Sequence, residues 1–243
     1  MLSDADVAAL YDLVNPWDPV HHPADAYHHR HVMAAGAVLD VGCGTGAMLH
    51  HAREAGHRGR LAGIDPDPVY LRRARRRTDV EWVLGAAAGM PWEQEFELAV
   101  MAGHAFQCLV ADGEIRAGLA GVRAALREGG RFVFETRHPL ARGWESWTPE
   151  HPVDVVAADG RLLRVTRRVE SVVDDVVTCT ETVTGVRGDI VHERSQALRF
   201  LGPDALNRLL REAGFRLDEQ YGDWHGGPLT PHSREIVTVA RRP

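Results

Sequence analysis

Apolar residues return at two different periods along this chain, and the change of period divides it. Near the N-terminus Val7, Leu10, Tyr11 and Val14 recur every three or four positions. Ser3, with Asp6 three residues on, supplies an N-cap, so a helix is expected over about 3–14, ended by Asn15-Pro16. A second helical stretch over about 25–35 leads into the unbroken apolar strand 37–41. Past a glycine-rich stretch a helix is expected to about Ala55, where Gly56 stops it, and then a strand 61–64 that ends in Asp65. The alternation continues with a helix reaching Arg77, strands near 80–84 and 96–101, a helix over about 113–126, and a strand 131–135 behind the stop Glu128-Gly129-Gly130. Repeated βα units predict a parallel sheet with helices on both faces.

From about Leu162 to Phe200 the period falls to two. Leu163, Val165 and Val169 precede a turn at Asp174-Asp175; Val177, Cys179, Glu181 and Val183 then alternate with threonines, and residues 185–189 turn again into 190–200. An antiparallel meander of about three strands is expected there, inserted into the α/β frame. A last helix over about 204–213, closed by Gly214, and strands near 215–221 and 235–240 complete the pattern. With no internal repeat or Pro/Ser-rich linker, the economical division is one domain over 1–243: an N-terminal helical segment 1–36, an α/β core 37–139, the antiparallel insertion 140–200, and completion of the sheet by 201–243.

Composition narrows the chemistry. At 243 residues with 44% apolar and 26% charged side chains, the chain reads as an ordinary soluble globular protein. No apolar run reaches the roughly 20 residues of a membrane span, and the first residues lack the layout of a signal peptide, so a cytoplasmic protein is expected. Cys43, Cys108 and Cys179 are scattered and odd in number, which predicts free thiols. All 28 basic residues are arginine. The absence of lysine counts against a Walker A loop, a pyridoxal Schiff base and the Tyr-x-x-x-Lys pair of short-chain dehydrogenases. A net charge of −6 argues against nucleic acid as partner. The run Arg72, Arg73, Arg75, Arg76 and Arg77 reads as the solvated face of a helix.

The stretch VLDVGCGTGA, residues 38–47, satisfies two spellings. Gly42, Gly44 and Ala47 fit the dinucleotide fingerprint G-x-G-x-x-G/A, while Asp40 with Gly42, Gly44 and Gly46 spells D-x-G-x-G-x-G. In both, glycines let a backbone approach a ligand, and Asp65, 23 positions after Gly42, is spaced to accept ribose hydroxyls. Asp40 separates them. Facing the site, a carboxylate there would repel a pyrophosphate and favour a cationic group.

Residues 38–46 resemble the first motif of class I S-adenosylmethionine-dependent methyltransferases, and later stations match in order. G-I-D at 63–65 resembles the second motif, L-G-A-A at 84–87 with Met90-Pro91 the third, F-E-L-A-V-M at 96–101 with Gly103-His104 the fourth, and the helix 204–213 with Gly214-Phe215 the late helix and its junction. The resemblance implies a Rossmann-like sheet of seven strands, mostly parallel with the last antiparallel, and S-adenosylmethionine as cofactor with S-adenosylhomocysteine as product. It assigns the cofactor to Asp40, Gly42, Cys43, Gly44, Gly46, Asp65, Pro66, Ala86, Ala87, Met101 and Ala102. In the third motif Ala86 stands where the family often has an Asp that accepts from adenine, a loss of about 1–3 kcal/mol unless replaced. The Ala86 and Ala87 backbone, with packing by Met90 or Trp92, is expected to read the base instead.

The N-terminal segment resembles the lid of small-molecule methyltransferases, which would put Tyr11 and Trp17 over the methionine end of the cofactor and Arg30 on its carboxylate. His104 and His138, each following the C-terminal end of a strand, are the candidate catalytic bases, and Glu135 a group that orients one of them or meets an amine. His21, His22, His28, His29 and His31 cluster in sequence, but no metal site is expected in a mobile segment. Trp144, Trp147 and Trp224 are expected as aromatic walls above the cofactor. The reaction expected is methyl transfer to O or N of a small organic acceptor of apolar or aromatic character, with no nucleic-acid or membrane partner and a homodimer allowed. An NAD(P)-dependent oxidoreductase and a non-catalytic binding protein of the same fold remain the alternatives.

Overall fold

The capping pattern at the N-terminus does what its chemistry asks. In a computed structural model that describes residues 1–243, α1 (Asp4–Val14) starts with Asp6 N–H donating to Ser3 Oγ while the Asp6 carboxylate accepts from Ser3 N–H. After α2 (Pro23–Met33) come β1 (Ala37–Val41), α3 (Ala47–Glu54), β2 (Arg60–Asp65), α4 (Pro68–Ala74), β3 (Glu81–Leu84), β4 (Phe96–Met101), α5 (Asp112–Ala125) and β5 (Leu126–Arg137). The insertion holds β6 (Val153–Val156), β7 (Leu162–Val173), β8 (Val176–Thr184) and β9 (Ile190–Arg199). The chain closes with α6 (Pro203–Glu212), β10 (Arg216–Tyr221) and β11 (Glu235–Arg241).

The main sheet has seven strands in the order β10-β11-β5-β4-β1-β2-β3, with β11 antiparallel to both neighbours. Chain order reverses between β1 and β4, so their C-terminal ends border the crevice where open α/β sheets take ligands. Large apolar side chains cover both faces. Phe96, Phe106, Phe132, Phe134 and Phe215 fill the face under α5 and α6; Tyr27, Leu49, Leu61, Val133 and Val237 fill the other, under α2 and α3. Burying these faces is the main favourable term in the fold.

The second sheet, β6-β7-β8-β9, is wholly antiparallel. Its inward face is apolar at both ends. Leu163, Val165, Val183 and Val191 pack on Leu10 of α1; Val177, Leu198 and Phe200 pack on Trp144. The Asp174-Asp175 turn carries positive φ at both residues, 47° and 63°, the tight hairpin geometry that short acidic side chains tolerate.

The three strands expected over about 162–200 are β7, β8 and β9; β6, ahead of them, is a short, largely exposed edge strand with no alternating apolar face to announce it. One boundary needs correction: β5 begins at Leu126 and runs through Gly129-Gly130, so the expected helix stop is the start of the strand. Within the N-terminal lid, α2 packs closely on the sheet, with Tyr27, His28 and Val32 buried.

Candidate active site

The glycine loop is held by backbone from the neighbouring strand. Gly42 and Cys43 N–H both donate to Ile64 C=O, at 2.8 and 3.1 Å. Gly42, Gly44 and Gly46 all have positive φ, and a Cβ on Gly46 would lie 2.5 Å from the Trp82 ring. Here glycine is needed both for conformation and for space. Asp65, at the end of β2, fastens the loop: Oδ2 accepts Gly44 N–H and Oδ1 accepts Asp67 N–H, each at 2.8 Å. Burial nevertheless raises its pKa.

Asp40 is 4% exposed, and no protein donor hydrogen-bonds its carboxylate. Burial first, then repulsion from Asp65 and Glu135, pushes its pKa up to about 8. Two further carboxylates thus act on Asp40, and it alone of the three has no hydrogen-bond donor. The cofactor implied by the resemblance fits this cradle. Its ammonium and sulfonium would relieve the charge, and its lack of phosphate avoids the repulsion a dinucleotide would meet.

The N-terminal segment reaches this loop through α1. Tyr11 stands over Gly44, its ring 3.7 Å from where a Cβ would be, and Thr45 Oγ1 donates to Asp12 Oδ1 at 2.5 Å. Arg73 of α4 pairs with the other Asp12 oxygen. Trp17 packs against the α2/α3 side of the core, its Nε1 buried without a partner. Arg30 is placed elsewhere. It projects from the outer face of α2 over the Tyr27 ring, into a groove of about 580 Å3 shared with Glu219 and Tyr221 of β10, at the sheet edge remote from β1. The five histidines diverge as well: His28 enters the core, His29 meets His51, and His31 packs on Tyr27.

At the third motif Ala86 is exposed while Ala87 is buried. Pro66 is exposed beside Asp65; Cys43 is buried on Leu71 and Ala74. Trp92 is a core residue, packed on Phe96 with Nε1 donating to Glu81, and is not free to meet a base. Leu84, 52% exposed at the end of β3, is an apolar surface in this region that the motif reading passed over. Met101 is buried and Ala102 half-buried at the end of β4.

Beyond β4, Gly103 and His104 both take positive φ, 65° and 63°. His104 N–H donates to Glu135 Oε1 at 2.8 Å, and its Nε2 lies 2.9 Å from Glu235 Oε2, at the start of β11. Glu135 Oε2 lies 2.7 Å from His28 Nε2, both side chains essentially fully buried. Burial pushes the Glu135 carboxyl up, but the charge and hydrogen bond of His28 outweigh it and hold the group low, at about 2. Glu135 therefore orients the His104 backbone rather than standing free. His138 is buried, with its pKa lowered by burial, and its Nδ1 accepts Leu140 N–H, capping the turn that follows β5. The sequence did not announce Glu235 or the pairing of His28 with Glu135, since neither lies in a motif and both contacts span long separations.

The tryptophans do not line an aromatic chamber. Trp144 packs under the second sheet against Phe200, Trp224 covers Tyr27 and His28, and Trp147 lies 5.2 Å from the Arg137 guanidinium. The second sheet forms a roof over the C-terminal ends of β1 and β4: Gln107 donates to Arg199 C=O of β9, and Arg194 of β9 donates to Tyr70 Oη of α4.

Known proteins share this plan. The family model described as a methyltransferase domain matches residues 38–130. A cypemycin N-terminal methyltransferase from a Streptomyces species is 24% identical over 98% of this chain and 97% of its own length. The CcbJ methyltransferase of Streptomyces caelestis superposes with a TM-score of 0.73 at 22% identity, over 99% of each chain. CalS10, an amino pentose methyltransferase from Micromonospora echinaspora, gives 0.67 at 23% identity, over 96% of this chain and 97% of its own. The methyltransferase-domain model thus covers the glycine loop and the strands around it, and the chain shares its fold from end to end with solved S-adenosylmethionine-dependent methyltransferases.

Proposed function

We propose that the protein transfers a methyl group from S-adenosylmethionine to a nitrogen or oxygen of a small organic acceptor. The observation that carries this reading is Asp40: a buried carboxylate with no donor, raised to about 8 beside Asp65 and Glu135, at the floor of a glycine loop. A cationic ligand is what that floor lacks. The cofactor supplies an electrophilic methyl group. Asp65 accepts the ribose hydroxyls, the positive-φ glycines bring bare backbone to the ligand, and Tyr11 and Trp17 exclude water from its methionine end. Ala87 backbone and Leu84 hold the base, with Ala86 leaving its amino group to solvent.

His104 receives the proton that the acceptor loses as its lone pair attacks. Its Nε2 lies on Glu235, which stabilises the imidazolium as it forms, and its backbone is fixed by Glu135. His138 instead holds the turn after β5. Nitrogen is favoured as the acceptor atom: Glu135 and Glu235 at His104 stabilise a developing ammonium, and the similar proteins include an N-terminal and an amino pentose methyltransferase. Side-by-side titration with S-adenosylmethionine and NAD tests the reading. Saturable binding of the first alone is expected; binding of NAD alone overturns it.

A further inference from the structure

An antiparallel sheet that packs one face inward is expected to be apolar along that face. The roof breaks this rule at its centre. Arg167, Glu181 and Arg194 are direct neighbours across β7, β8 and β9, and they share the pleat of inward residues, between the apolar ends at Val165 and Val183 on one side and Val177 and Leu198 on the other. Charged groups thus stand in mid-face between apolar packing at both ends, Arg194 exposed and reaching across to Tyr70 of α4.

The charges do not balance. Glu181 accepts from Arg167 Nε at 3.0 Å, and is the only acid in the row. Arg194 has only the Tyr70 hydroxyl as side-chain acceptor and stacks over that ring. Beneath them Arg137, at the end of β5, donates to Gln107 Oε1 at 3.0 Å and faces Trp147, with no carboxylate within ion-pair distance. Burial lowers its pKa, and the pull of Glu235 and Glu135, neither in ion-pair contact, only partly offsets this. Arg194 reaches the glycine loop through Tyr70, whose ring lies 4.8 Å from that of Tyr11 over Gly44, and Arg137 is tied through Gln107 to the turn that follows His104.

An acidic floor and an arginine-bearing roof thus bound the site. From this we infer that the methyl acceptor carries an anionic group, a carboxylate or a phosphate, held by Arg137 and Arg194 while its nucleophilic atom points down to His104. The planar forks of arginine match either anion in two-point contact, and an anion there would give the two guanidiniums the partner the protein does not supply. This inference rests on the methyltransferase reading for the identity of the lower ligand, and it replaces the expectation of an apolar or aromatic acceptor.

The test titrates inorganic phosphate, and separately succinate, into the protein loaded with S-adenosylmethionine at constant ionic strength, following Tm. Saturable stabilisation is expected, the tighter arm marking the anion type. Arg137→Met and Arg194→Met should each weaken it at least tenfold, while Arg187→Met in the exposed 185–189 turn leaves it intact. Should Arg137→Met not fold, Arg137→Lys and Arg194→Met carry the comparison. No saturable response to either anion, or a response unchanged in the variants, overturns the inference. Failure of S-adenosylmethionine to bind sinks the methyltransferase reading separately, and the anion titration of the free protein then still decides this one.

Discussion

Asp40→Asn tests the charge argument through two effects of opposite sign. In the folded, free protein the Asp40 pKa is raised from 3.8 to about 8, chiefly by burial. A raised carboxyl adds stability that is fully present below the unfolded value and lost as pH rises through the folded one. Integrated to pH 7, that loss is about 4 kcal/mol. Asparagine cannot ionise and escapes it. Between pH 5.5 and pH 8 the stability gap between the variant and the parent should therefore widen by about 3 kcal/mol. For a chain of this size that is roughly 6–12 °C in Tm. Cofactor binding should move the other way: the parent's affinity rises with pH to about 8, with release of up to one proton at pH 7, and the variant binds at least tenfold more weakly above pH 8 with no such slope. Scanning fluorimetry across pH, and calorimetry in buffers of different ionisation enthalpy, read both. A Tm gap independent of pH together with binding that releases no proton would refute the reasoning.

Other perturbations address single contacts. His104→Gln should lower kcat about a hundredfold while the directly measured cofactor Kd holds within twofold, and Glu235→Gln should lower kcat less; equal losses of cofactor binding would count against a base role. His28→Ala leaves the Glu135 carboxylate buried and unpaired, so chemical denaturation should show a loss of about 3–5 kcal/mol, far above the effect of the exposed His21→Ala. Gly46→Ala, at φ 79° and against the Trp82 ring, should cost about 2–4 kcal/mol by strain and overpacking, and reduce cofactor affinity in the fraction that folds.

The frame was legible because each of its signals is local. The Ser3-Asp6 box, the apolar run 37–41, the spaced glycines and the acid at 65 each sit within one element and obey one rule, and the structure joins them without rearrangement. Contacts between elements far apart in sequence were not legible. Glu235 reaches His104 across 131 positions, and His28 reaches Glu135 across 107, with nothing in the intervening chain to announce either pair. Arg30 shows the complementary limit: helical position is readable, but the direction a side chain takes depends on which face the helix buries. Here Tyr27, His28 and Val32 go inward and Arg30 is left outside.

The roof lies between these cases, and its signal was present in the chain. Leu163, Val165, Arg167 and Val169 have one parity, as do Val177, Cys179, Glu181 and Val183, so once the apolar members are assigned inward the charged ones must follow. A charged side chain at an inward position either weakens a core or marks a place where there is none. The structure shows the second: apolar clusters close both ends of the face, and the charged row stands in the gap between them. A sequence that breaks its own alternation at facing positions of three successive strands gives up packing there for a function at the same place. With arginines on the roof and acids at the glycine loop, the ligands proposed for this site carry opposite charges at its two ends.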